Sequence, residues 1–148
     1  MRFHTLGAAV IVSLSLMACA SSGSQVPVRG GDSELMTVAG EWEGQYTGTE
    51  SGRSGPIHFS LGEGRHTADG TVVMGGQTPL QIRFVTVEGG NVSGKIEKYT
   101  DPSCNCEVET EFVGQRIGDR IDGTFITKVI ATGQTQKGTW GVERKPVQ

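Results

Sequence analysis

Between Val38 and Lys145, apolar and polar side chains alternate one for one, and Gly, Asn, Asp or Pro interrupts the alternation about every ten residues. Successive side chains of an extended strand point to opposite faces, so this pattern gives a sheet with one apolar and one wet face, the mark of antiparallel pairing. Ile57, Phe59 and Leu61 alternate with His58 and Ser60, and Leu80, Ile82 and Phe84 with Gln81 and Arg83. Val108, Thr110 and Phe112 alternate with Glu107, Glu109 and Glu111, which reads those three carboxylates as a solvated face. The pattern predicts eight or nine short strands, near 41–49, 55–62, 70–75, 79–88, 91–99, 104–113, 114–118, 120–130 and 135–144. Helical periodicity is almost absent.

Hairpin-linked strands in this number leave exposed edges unless the sheet closes on itself or folds double. The expected fold class is therefore all-β: a small antiparallel meander of 8–9 strands closed as a barrel, with an open β-sandwich as the alternative. At eight strands a barrel interior is just filled by side chains or holds one small ligand. The inward parity carries Trp42, Tyr46, Phe59, Phe84, Phe125 and Trp140 among others, enough large side chains to fill such a barrel outright. Five times a glycine stands two residues before a large apolar one, as at Gly44-Gln45-Tyr46 and Gly138-Thr139-Trp140. Glycine on the inward parity removes a side chain where a strand bends or another backbone comes close.

The first residues stand apart from this pattern. Leu6 to Ala18 is apolar or small throughout and follows Arg2 and His4. Such a run is short of the roughly 20 residues that cross a bilayer and has the build of a signal peptide. It ends in Leu16-Met17-Ala18-Cys19, which resembles the lipobox of bacterial lipoproteins: an aliphatic residue three before the cysteine and a small one just before it. Met17 is a less common choice at a tolerant position. The resemblance implies cleavage before Cys19, a diacylglyceryl group on its sulfur, and a membrane as the partner held through that lipid. Two or three acyl chains anchor firmly, where one binds marginally. The implied organisation is a signal peptide over 1–18, a lipidated cysteine and flexible Ser/Gly-rich tether over 19–38, and the all-β domain over 39–148. Ala20 occupies the place where many lipoproteins kept in the inner membrane carry Asp, so the resemblance favours the outer membrane, facing the periplasm.

At the two ends of the domain a second resemblance stands out. Gly40-Glu41-Trp42 opens the first strand and is similar to the G-x-W start of lipocalins and other calycin barrels. In those families a basic residue on the last strand packs over the first-strand tryptophan. Arg144 shares parity with Trp140 and Val142 and is the candidate here. The resemblance implies that Gly40, Trp42 and Arg144 close the barrel. The domain is shorter than typical lipocalins, and neither a flanking helix nor a helical lid is visible in the sequence.

Chemical motifs are sparse. His58 and His66 belong to no nucleophile–base–acid arrangement, and no phosphate loop, nucleophile elbow or metalloprotease helix is present, so no enzyme, metal site or cofactor is expected. Once Arg2 leaves with the signal, the formal net charge moves from −3 to −4 without any Lys/Arg cluster, which argues against nucleic acid as a partner. Cys104-Asn105-Cys106 is an even pair in an oxidising compartment, which favours a disulfide. Geometry objects, since residues two apart in an extended strand lie about 6.6–6.8 Å apart between Cα atoms, at the limit of a disulfide. The turn formers Asp101-Pro102-Ser103 could relieve that, and two thiols on the apolar face, a metal site or a redox pair are the alternatives. Two functional classes remain. The expected filled core favours a structural or protein-interaction module of the envelope, including an inhibitor; the alternative is a lipocalin-like carrier of a small apolar ligand.

Overall fold

The computed structural model describes residues 25–147, apart from Arg65 and residues 74–79; the side chains of Gln81 and Phe84 also lie outside the description, as do Cys19 and the residues before it that resemble a lipobox. Nine strands and one helix follow in order: β1 (Gln25–Arg29), α1 (Asp32–Val38), β2 (Gly40–Gly48), β3 (Ser54–Leu61), β4 (Thr67–Val72), β5 (Leu80–Glu88), β6 (Asn91–Asp101), β7 (Cys106–Ile117), β8 (Arg120–Val129) and β9 (Thr135–Arg144). They form a closed mixed barrel in the order β1-β4-β3-β2-β9-β8-β7-β6-β5. β2 to β9 are the expected antiparallel meander, closed by pairing of the first and last of them along Trp42↔Arg144 to Gly48↔Gly138. The stretches 104–113 and 114–118, expected as two strands, are one continuous β7.

The parity reading holds on β7, where Val108 and Thr110 are buried and Glu107 and Glu111 are exposed. Lys95 on β6 reaches Glu109 at 2.9 Å and Glu111 at 3.3 Å across the outer face. Two bulges alter the parity elsewhere. Register shifts between Ile82 and Phe84, so that Val85 and Val87 pair with the buried positions Gly94 and Val92. It shifts again between Ile96 and Tyr99, so that Tyr99 and Asp101 follow Ile96 on the inward side. The glycines mark close approach: a Cβ at Gly44 would collide with the Gly141 carbonyl, and one at Gly138 with the Phe125 ring.

The segment over 25–38, expected as part of a flexible tether, is structured. β4 and β5 pair with each other only at Thr71↔Gln81 and Val72↔Leu80. Below that they diverge, and β1 lies between them, antiparallel to β4 and parallel to β5. Val26 and Val28 are buried in the seam. Two apolar residues in five, with Pro27 among them, give too short a signal to read as a strand, and proline argues against one. α1 crosses one end of the barrel and buries Leu35 and Val38. The Glu34 carboxylate accepts from the backbone N–H of Gly31, at the helix start, and from that of Gly89 in the β5–β6 turn.

Candidate functional site

The end under α1 is sealed by the three residues of the calycin resemblance. Trp42 is fully buried; its indole N–H donates to the Val38 carbonyl at 2.9 Å, and its ring stacks on Phe59 at 5.8 Å. The Arg144 guanidinium sits over the indole, 4.4 Å from the ring centroid. It also donates to the carbonyls of Thr37 and Ala39 at the C-terminal end of α1, and to Asp119 at 2.8 Å. Gly40 holds φ +114°, and a Cβ there would lie 3.1 Å from Arg144 Nη1, so both backbone and space call for glycine.

Above this plug the interior is open. A cavity of about 80 Å³ runs along the barrel axis, lined almost wholly by apolar side chains that include Val28, Leu61, Ile82, Val92, Phe125 and Trp140. The expectation of a filled barrel is therefore corrected. Ala68 is the smallest side chain on the cavity wall, at a buried inward position of β4, while the space over the inward Gly70 is taken by the Ile82 side chain.

The end opposite α1 is polar. Arg53, in the β2–β3 loop, makes a bidentate ion pair with Asp101 at the end of β6, linking strands that are not neighbours in the barrel. Asp101 is only 2% exposed and also accepts from the backbone N–H and hydroxyl of Ser103. Burial pushes its carboxyl up, but the guanidinium and the Ser103 donors outweigh burial and hold it at about 2. Beneath the ion pair, Thr110 and Thr127 share a buried hydrogen bond of 2.7 Å, and the Tyr99 hydroxyl lies against them. The Tyr46 hydroxyl is also buried but has no hydrogen-bond partner among the described residues. Burial pushes it up to about 12, so it stays a protonated donor across the ordinary pH range.

No protein-family model matches this chain, and no curated protein matches it in sequence. The site therefore stands on its own geometry.

The remaining sequence candidates fall at the mouth or outside the barrel. Cys104 and Cys106 are joined by a disulfide in the β6–β7 turn, next to Asp101. Asn105 between them takes φ +50°, and this left-handed turn brings the Cα atoms to 5.1 Å, inside disulfide range. His58 and His66 are exposed, 3.7 Å from Glu43 and 3.6 Å from Asp32 respectively. Among the described residues no three side chains converge to hold a metal ion. Sequence reasoning missed Arg53, Tyr99 and Asp101 as site residues. The signal for the last two was the charged doublet Glu97-Lys98, where strict alternation would place one residue inward; the bulge turns both out.

Proposed function

We propose that this domain is a binding module that carries one compact, largely apolar small molecule inside its barrel, and that lipid on Cys19 tethers it to a membrane. The observation that carries the first part is the apolar cavity of about 80 Å³ in a closed barrel. An interior void in a protein costs dispersion contacts and is not kept without reason, because core side chains otherwise pack to crystal density. Burying an apolar molecule there gains roughly 25 cal/mol for each Å² removed from water, while a preformed barrel loses little order on binding. The second part rests on the lipobox at Leu16–Cys19 and on the export that such a sequence implies.

The test is titration of the full chain with toluene, followed by tryptophan fluorescence, in which Trp140 lines the cavity and Trp42 does not. Saturable quenching or enhancement is expected. Ala68→Leu, which adds bulk to the cavity wall, should abolish it while the far-ultraviolet spectrum stays that of the parent. No response to toluene or to any other small hydrocarbon would overturn the carrier reading. Mass spectrometry of the membrane fraction tests the anchor, and an unmodified Cys19 would overturn it. The envelope-partner reading has separate support in Val113, Ile117 and Ile126, which are exposed on the outer face of β7 and β8. Filling the cavity leaves that face untouched, so the two readings part at Ala68→Leu.

A further inference from the structure

The cavity is not uniformly apolar, and its one polar end constrains the chemistry of what it takes; this rests on the carrier reading above. Two tyrosines reach the mouth. Tyr99 has hydroxyl neighbours in Thr110 and Thr127. Tyr46 has none among the described residues, although it is 5% exposed and lines the same cavity. Its position is built and not incidental. Tyr46 pairs with Gly55 across β2 and β3, and a Cβ on Gly55 would come 2.7 Å from Tyr46 Cε1 and collide with the Val73 carbonyl. Glycine at that inward position lets the phenol lie flat over the neighbouring strand. The Phe125 ring holds it from another side, edge to face at 6.0 Å. A buried hydroxyl that makes no hydrogen bond loses its hydration without compensation, so a tyrosine at this position calls for an acceptor.

The charge of that acceptor follows from the ion pair. Arg53 is the cation at this end; Asp101 takes both of its terminal nitrogens, and Arg53 Nε is left buried without a partner among the described residues. Asp101 in turn is saturated by Arg53 and Ser103. An anionic ligand group would enter a low-dielectric space beside a neutralised guanidinium and a carboxylate, with no net positive charge to offset its desolvation. We propose that the mouth is a subsite for one neutral hydrogen-bond acceptor, a ketone, ester or amide carbonyl, on an otherwise apolar ligand, and that the Tyr46 hydroxyl donates to it. The ligand class is then a compact neutral carbonyl compound, with its hydrocarbon part toward Val38 and Leu61 and its oxygen toward Tyr46.

Three probes of similar shape separate the possibilities: cyclohexanone, methylcyclohexane and cyclohexanecarboxylate, titrated against the full chain in detergent at pH 7 with tryptophan fluorescence as readout. Both uncharged probes are expected to bind, and the carboxylate at least about 10-fold more weakly than the ketone. Tyr46→Phe should weaken cyclohexanone about 2- to 12-fold, the worth of one hydrogen bond, and leave methylcyclohexane unchanged. If both bind and Tyr46→Phe alters neither, the subsite is wrong and the carrier reading survives. If the carboxylate binds as well as the ketone, the neutral class is wrong. If no probe binds, both proposals fall. Should Tyr46→Phe fail to fold, the carbonyl stretch of cyclohexanone bound to the parent protein decides. A shift below its value in hydrocarbon supports donation, and the hydrocarbon value overturns it.

Discussion

At the helix end of the barrel, an indole, a guanidinium and three backbone carbonyls satisfy one another completely. At the mouth, an ion pair and a cross-linked turn brace the rim above a buried hydroxyl that has no acceptor among the described residues. Both ends are buried and both use an arginine. The difference is that Arg144 spends its donors on the protein's own backbone and ring, which stabilises the fold. Arg53 holds a carboxylate across the barrel end, where its own Nε and the Tyr46 hydroxyl stay unpaired among the described residues.

The sharpest way to break this comparison is Trp42→Ala. Removing a fully buried indole should cost about 3–5 kcal/mol by denaturant titration, most of what a small domain has. A cost under about 1 kcal/mol would show that the helix end does not carry the fold. Arg144→Ala should cost about 2–3 kcal/mol through its charged hydrogen bonds and the cation–aromatic contact, and Arg144→Lys should rescue only part, because an ammonium reproduces neither the fork nor the stacking.

The mouth should contribute less, and in a pH-dependent way. Asp101 sits at about 2 in the folded chain, below the ordinary value near 3.9, so the folded state favours its ionised form. Its contribution, about 2 kcal/mol, is complete above pH 4 and is lost as pH falls from about 4 to about 2. Asp101→Asn should remove that part of the acid dependence in a pH series of thermal melts. Reducing the Cys104–Cys106 disulfide frees a loop of only three residues, so chain entropy gives about 1.5 kcal/mol and no unfolding is expected. Loss of the native spectrum on reduction would mean that the turn organises the whole mouth. Smallest of all, Tyr46→Phe should change stability by less than about 0.5 kcal/mol or raise it slightly, since no hydrogen bond within the described protein is lost. A large loss would assign Tyr46 to the fold.

Alternation with period two was enough to place β2 to β9, apart from the split of β7 into two, and to give the wet face of Glu107, Glu109 and Glu111, because along that part of β7 each inward residue follows its predecessor by two. The pairing of Trp42 with Arg144 was legible for a different reason. Closure forces the first and last meander strands together, and only one cation shares their inward parity near the end. The mouth was not legible. Tyr99 and Asp101 lie beyond a bulge that shifts parity by one, and a bulge is set by how two strands meet, not by either strand alone.

The amino-acid order by itself therefore determined the strand pattern and the closing residues, since each is a local or end-to-end relation along the chain. Tertiary structure decided three things that the order could not. It turned Gln25–Arg29 into a strand, because only the gap between β4 and β5 gives two valines and a proline somewhere to pair. It left a cavity where the tally of large residues promised a filled core, because packing depends on how side chains meet inside the closed barrel and not on their number. And it brought Arg53 to Asp101 across 48 residues of sequence, a meeting that exists only once the barrel has closed.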